Sequence, residues 1–125
     1  MCSRECAETK NEMITTAWNN GAHNSSGSGY GLKVSIQDRD RYFQRDWSNV
    51  VLELDDMKTP IEVNVRKSSF WSATCRELIS RDIGQWLINN KRVPWPQGKP
   101  PKIVLEPLGS NRFSAKFLDK VDMSL

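Results

Sequence analysis

The sequence predicts an α+β domain: a small antiparallel sheet curled into a partial barrel, or pseudobarrel, with one short helix and one longer one. Two strand pairs and one helical stripe carry that expectation. NVVLEL (49–54) and PIEVNV (60–65) alternate apolar and polar residues on either side of a polar turn, DDMKT. KIVLEPL (102–108) and RFSAKFL (112–118) do the same around Gly109, Ser110 and Asn111. Period two with β-branched and aromatic residues is the pattern of a half-buried strand. Between the pairs, Trp71, Cys75, Leu78, Ile79, Ile83, Trp86 and Leu87 recur mostly at spacings of three and four, which builds one apolar helical face.

Taken in chain order, residues 1 to about 16 lack sustained periodicity and mix both charge signs. They are expected to form a mobile tail, with a short helical turn around Glu8 to Ile14. Trp18 is the first residue large enough to anchor the chain. After the Gly/Ser/Asn-rich stretch NNGAHNSSGSGYG (19–31), GLKVSI sets Leu32, Val34 and Ile36 on one side of a strand and Lys33 and Ser35 on the other. Ser35 is placed to cap a short helix over QDRDRYFQR, with Asp38 three residues on, and Tyr42 and Phe43 would face inward. Pro60 sits at the entrance of its strand, where a missing N–H does least harm. Ser80 ahead of Arg81 and Asp82 reads as a fresh N-cap, and Gly84 costs about 1 kcal/mol against alanine in a helix interior. The helical region is therefore either one long helix or two short ones meeting near Ser80, with Asn89 and Asn90 as terminators. KRVPWPQGKPPK (91–102) holds four prolines and a glycine, which impose extended, stiff backbone. A single domain is expected over 17–118, with 119–125 frayed.

One hundred and twenty-five residues suit one domain with a core that needs no staples. No apolar run approaches the roughly 20 residues that span a bilayer, and the N-terminus has no apolar h-region. The expected location is therefore cytoplasmic or otherwise intracellular, with no membrane partner. Three cysteines, at 2, 6 and 75, and one histidine make neither a disulfide framework nor a metal site, and no cofactor is expected. A net charge of +3 permits contact with nucleic acid without demanding it; the distribution of charge matters more.

Catalytic chemistry finds little support. Gly27, Gly29 and Gly31 alternate ahead of a strand, so neither a phosphate loop nor a dinucleotide fingerprint is completed. The stretch reads as a flexible loop that tucks Tyr30 under the first strand. A second reading makes it a binding loop, since Asn19, Asn20, His23 and Asn24 offer dense donors and acceptors. His23 has no partner at a useful spacing, Asp38 and Asp40 point to different sides of a helix, Asp55-Asp56 reads as a turn, and Cys75 as packing. No catalytic residue is assigned, and the expectation is a protein that is not an enzyme.

The basic features say more. Lys91, Arg92, Lys99 and Lys102 have no acid among them and surround Trp95, which sits between two prolines. Cations around a rigidly held ring can bind phosphates and stack a base. Arg39, Arg41 and Arg45 form a second cluster, diluted by Asp38, Asp40 and Asp46, and Arg66 and Lys67 add charge just before the helical region. Trp71 and Trp86 fit the helical stripe and are read as core.

The order of elements in GLKVSIQDRDRYF, NVVLEL, PIEVNV and IGQWLINN through RFSAKF resembles the B3-like pseudobarrel of plant B3 domains and of the DNA-binding domains of some restriction enzymes. The likeness spans roughly residues 30–118 and is one of topology, with no diagnostic motif, so it transfers no binding residue. It implies a DNA-binding fold. The expected function is a small intracellular binding domain that favours nucleic acid. Arg39, Arg41, Arg45, Lys91, Arg92, Lys99 and Lys102 would bind by charge and Trp95 and Tyr30 by stacking, with Asn19, Asn20 and His23 in auxiliary roles. The alternative is a protein-interaction module using the Trp-Pro loop, and the third reading is an enzyme whose site assembles from distant residues. Oligomeric state is left open.

Overall fold

The structure, a computed structural model, describes residues 12–21 and 24–120. Cys2, Cys6 and His23 lie outside the described residues, as do most of the proposed helical turn around Glu8 and most of the segment expected to fray. The strands are β1 (Met13–Asn19), β2 (Tyr30–Lys33), β3 (Asn49–Leu54), β4 (Ile61–Asn64), β5 (Glu77–Ile79), β6 (Lys102–Gly109) and β7 (Arg112–Phe117). The helices are α1 (Ile36–Tyr42) and α2 (Arg81–Asn89), and a 3₁₀ turn spans Leu118–Lys120. The strands form one sheet in the order β4-β3-β7-β6-β1-β2-β5. All neighbours are antiparallel except β3 and β7, which run parallel, so the sheet is mixed rather than purely antiparallel. Its edge strands, β4 and β5, approach each other without pairing. The result is a nearly closed α+β pseudobarrel.

Strand directions sort the connections into two ends. At one end lie the 20–29 loop, the 55–60 turn, α2, and the 90–101 segment. At the other lie α1, residues 43–48, the 65–76 segment and the 110–111 turn. α2 packs over one end, while the α1 end is filled by rings outside the helix itself, Arg39 being the buried residue of α1. At the α1 end, Phe43 stacks on Phe113 with centroids 5.1 Å apart and meets Phe70 edge-on at 5.1 Å. At the α2 end, Trp86 stacks on Phe117 at 4.3 Å and donates from Nε1 to the Asp55 carbonyl at 2.7 Å. The hydrogen bond lets a large indole be buried without leaving an orphan donor.

Local chemistry explains the elements. Ser35 Oγ accepts from the Asp38 amide at 3.1 Å and so caps α1, and Ser80 Oγ accepts from the Asp82 amide at 3.1 Å to cap α2. The β3–β4 hairpin and the β6–β7 hairpin form as the alternation requires, with Val50, Leu52, Leu54, Phe113, Ala115 and Phe117 all buried.

Two strands depart from the sequence reading. β1 begins within the stretch expected to be a tail. Its buried row is Met13, Thr15 and Ala17, while Ile14 is 53% exposed, so the usual polarity of alternation is masked. Thr15 fits inside because its hydroxyl donates to the Ile103 carbonyl at 2.9 Å. β5 replaces the first half of the expected helix. Residues 67–76 form turns, because hydroxyls there compete for the backbone: Ser72 Oγ donates to the Ser69 carbonyl and accepts from the Thr74 and Cys75 amides. Arg76 then takes φ 85°, which ends any helical path.

The glycine-rich loop is docked rather than slack where it is described. Gly27 lies against α2, where a Cβ on Gly84 would come within 2.0 Å of the Gly27 carbonyl oxygen. Gln85 Nε2 also donates to the Ser26 carbonyl at 3.1 Å. The three alternating glycines thus answer to packing: a Cβ at Gly29 would strike the Asn20 side chain, and one at Gly31 the Leu78 carbonyl.

Candidate functional site

The candidate site forms at the α1 end, in the segment that follows β4. Here an open groove of about 240 Å³ is lined by Arg45, Arg66, Lys67, Ser68 and Trp71. Three of the five lining residues are cations and none is an acid. The Arg45 guanidinium lies over the Trp71 ring, 4.7 Å from its centroid, and Trp71 Nε1 donates to the Val65 carbonyl at 3.1 Å. The ring is fixed by that bond and by an edge-on contact with Phe70 at 5.4 Å. A guanidinium resting on an aromatic face keeps its N–H edge available to a planar or tetrahedral oxyanion. Arg66 is exposed, its amide donating to Asn64 Oδ1 at 2.8 Å and its Nη1 to Ser48 Oγ at 3.4 Å. Among the described residues, neither Arg45, Arg66 nor Lys67 forms an ion pair.

Beneath the groove, carbonyls of the 65–76 segment are satisfied by cations. Arg39 Nη1 donates to the Phe70 carbonyl at 3.2 Å and the Ser72 carbonyl at 2.7 Å, while its Nε bonds Asp40 at 3.0 Å. Lys33 Nζ reaches the Thr74 carbonyl at 2.9 Å and pairs with buried Glu77 at 3.2 Å. Arg76 bonds the Val34 carbonyl at 2.8 Å and also the Ala73 carbonyl.

The residues singled out from sequence are divided between the two ends. Arg39, Arg41 and Arg45 are at the α1 end; Lys91, Arg92, Trp95, Lys99 and Lys102 are at the other. They do not make one surface. Arg39 is 7% exposed and engaged with backbone, so it belongs to the scaffold of the groove instead of its lining. Arg41 is exposed and lies over Tyr42, 5.6 Å from the ring centroid.

At the α2 end, Arg92 forms a bidentate pair with Asp119 at 2.7 and 2.9 Å and covers Phe117 at 4.1 Å. The Asp119 bonds hold its guanidinium further towards the charged form, against a smaller opposing effect of burial. Its charge is thus already matched, and Asp119 is tied down within the stretch expected to fray. Lys102 Nζ bonds Thr16 Oγ1 at 2.8 Å. Lys91 and Lys99 are exposed. Trp95 is half-buried against the core and meets Tyr30 edge-on at 6.0 Å.

Of the two rings assigned to stacking, Trp95 keeps partial exposure and Tyr30 is not presented for it. Tyr30 is fully buried; burial pushes its phenol above the ordinary value, partly offset by a side-chain hydrogen bond with Asn19. Asn19 also accepts from the Gly21 amide, and the Asn20 amide bonds the Gly29 carbonyl at 3.0 Å. Both asparagines shape the β1–β2 loop.

Sequence reasoning passed over Ser68, placed Trp71 in the core of a helical stripe, and gave Arg66 and Lys67 only as added charge. The available signal was the acid-free run from Arg66 to Arg76 around Trp71, which the helical spacing disguised. No three His, Cys, Asp or Glu side chains converge as a metal site among the described residues, and among them no helix is long and apolar enough to cross a membrane. The chain matches no family model, no curated protein and no solved structure.

Proposed function

We propose that this domain is a non-catalytic nucleic-acid-binding module that grips the sugar-phosphate backbone through the groove at its α1 end. One observation carries the reading: Arg45, Arg66 and Lys67 converge on a groove that no acid lines, and the Arg45 guanidinium carbon lies over the Trp71 ring. Cations without counter-charges release condensed counterions when they meet phosphates, which supplies most sequence-independent affinity. With Arg45 over its indole, Trp71 acts as the support of a phosphate clamp instead of a platform for an unstacked base. The order of elements, which resembles that of B3-like pseudobarrels, supports the same reading by analogy alone. The interaction-module reading has less support, because Trp95 turns onto the core.

The test is a fluorescence-anisotropy titration with a mixed-sequence duplex at low salt. Replacing Arg45, Arg66 and Lys67 together by alanine should weaken binding about tenfold or more, the equivalent of about 1.4 kcal/mol. Replacing Lys91 and Lys99 by alanine at the other end should leave affinity within about twofold. No binding by the unaltered protein, or equal losses in both variants, would overturn the assignment.

A further inference from the structure

Arg39 is an ionised side chain taken almost wholly out of water, and the groove makes no direct use of it. Its guanidinium joins three parts of the α1 end. Nε bonds Asp40 on α1, Nη1 bonds the carbonyls of Phe70 and Ser72 across the turn that bears Trp71, and Cζ lies 5.2 Å from the Trp71 centroid. Trp71 in turn carries Arg45. A buried cation is costly unless its donors are satisfied, and here they are met by the Asp40 carboxylate and by two backbone carbonyls of a single turn. A side chain of similar length without donors would take this partner from those carbonyls and remove one of the contacts that hold the indole, beside the Val65 bond and the Phe70 edge.

We infer that Arg39 is the positioning residue of the groove: it fixes the 70–72 turn and Trp71 so that Arg45 presents its N–H edge to an oxyanion. The inference rests on the backbone-binding reading for its ligand, but its structural half can be read without any ligand. Arg39 touches no phosphate itself. Its removal should weaken binding without lowering the number of ionic contacts, which the salt dependence of affinity counts at close to one unit of slope per contact.

The experiment compares Arg39→Lys and Arg39→Met with the unaltered protein, each well below its own unfolding midpoint. Arg39→Lys keeps the charge but cannot reproduce the fork of donors, so it gives a folded comparison if Arg39→Met does not fold. The first readout is the emission of Trp71, taken as the difference between each protein and its Trp71→Phe counterpart, with quenching by neutral acrylamide. In both Arg39 variants that emission should shift to the red and quench more readily. The second readout is affinity for the mixed-sequence duplex across a salt series. Affinity should fall about three- to tenfold with the slope of log K against log salt unchanged, whereas Arg45→Ala should reduce that slope by about one.

An unmoved Trp71 signal overturns the positioning role whatever happens to affinity. A slope lowered by one in Arg39→Met shows direct phosphate contact and also overturns it, as does unchanged affinity in a variant whose Trp71 has moved. If the unaltered protein binds no duplex while the Trp71 signal still moves, the nucleic-acid reading fails, and the anchoring of the turn by Arg39 survives it.

Discussion

Tyr30 shows how one residue can be legible in place and illegible in role. A tyrosine flanked by glycines was expected to tuck under a strand or to stack on a ligand. It sits wholly inside, hydrogen-bonded with Asn19 and edge-on to Trp95. That burial has a measurable consequence. Because burial raises the folded-state value above the ordinary 10.0, the folded protein holds this proton at pH values where the unfolded chain has lost it. The contribution to stability is complete below pH 10 and is lost as the pH rises through the folded-state value. Urea unfolding between about pH 9 and 11.5 should show stability falling more steeply for the unaltered protein than for Tyr30→Phe. Identical slopes would mean that the phenol is not held neutral by the fold. Arg39 makes the complementary point: an arginine in a basic cluster reads as a ligand contact until its donors are traced to backbone carbonyls.

At the scale of elements, the hairpins and α2 were legible because their chemistry is local. Alternation, Ser80 and Asn90 suffice to specify them. β1 and β5 were not, since each depends on a distant partner. Thr15 is an inward residue only because the Ile103 carbonyl lies across the ladder, and β5 can lie beside β2 only because Gly31 leaves room for the Leu78 carbonyl. The candidate groove shared that fate: its indole was assigned to a helix that the serines of 68–72 prevent. The docking of the 24–29 loop on α2 yields a prediction against the usual trend. Gly→Ala in a helix interior ordinarily stabilises by about 1 kcal/mol. At Gly84 the added methyl would meet the Gly27 backbone, so Gly84→Ala should destabilise by about 1–3 kcal/mol. Chemical denaturation gives the sign, and faster amide exchange across 24–29 should accompany it; a stabilised variant would show that the loop does not rest on the helix.

For the whole molecule, the pseudobarrel decides which charges can act together. Two basic segments that look interchangeable in sequence are carried to opposite ends by the strand directions. One end is compensated at Arg92 by Asp119, and the other concentrates Arg45, Arg66 and Lys67 around a held indole. No composition or spacing argument could separate them, since the separation exists only after β4, β5 and β6 have taken their places in the sheet. The most direct test of this division is amide chemical-shift mapping while a mixed-sequence duplex is added at low salt. Shifts confined to residues 41–48 and 65–76 are the result expected from binding at the α1 end. Shifts centred on 91–102, with 65–76 unmoved, would contradict it.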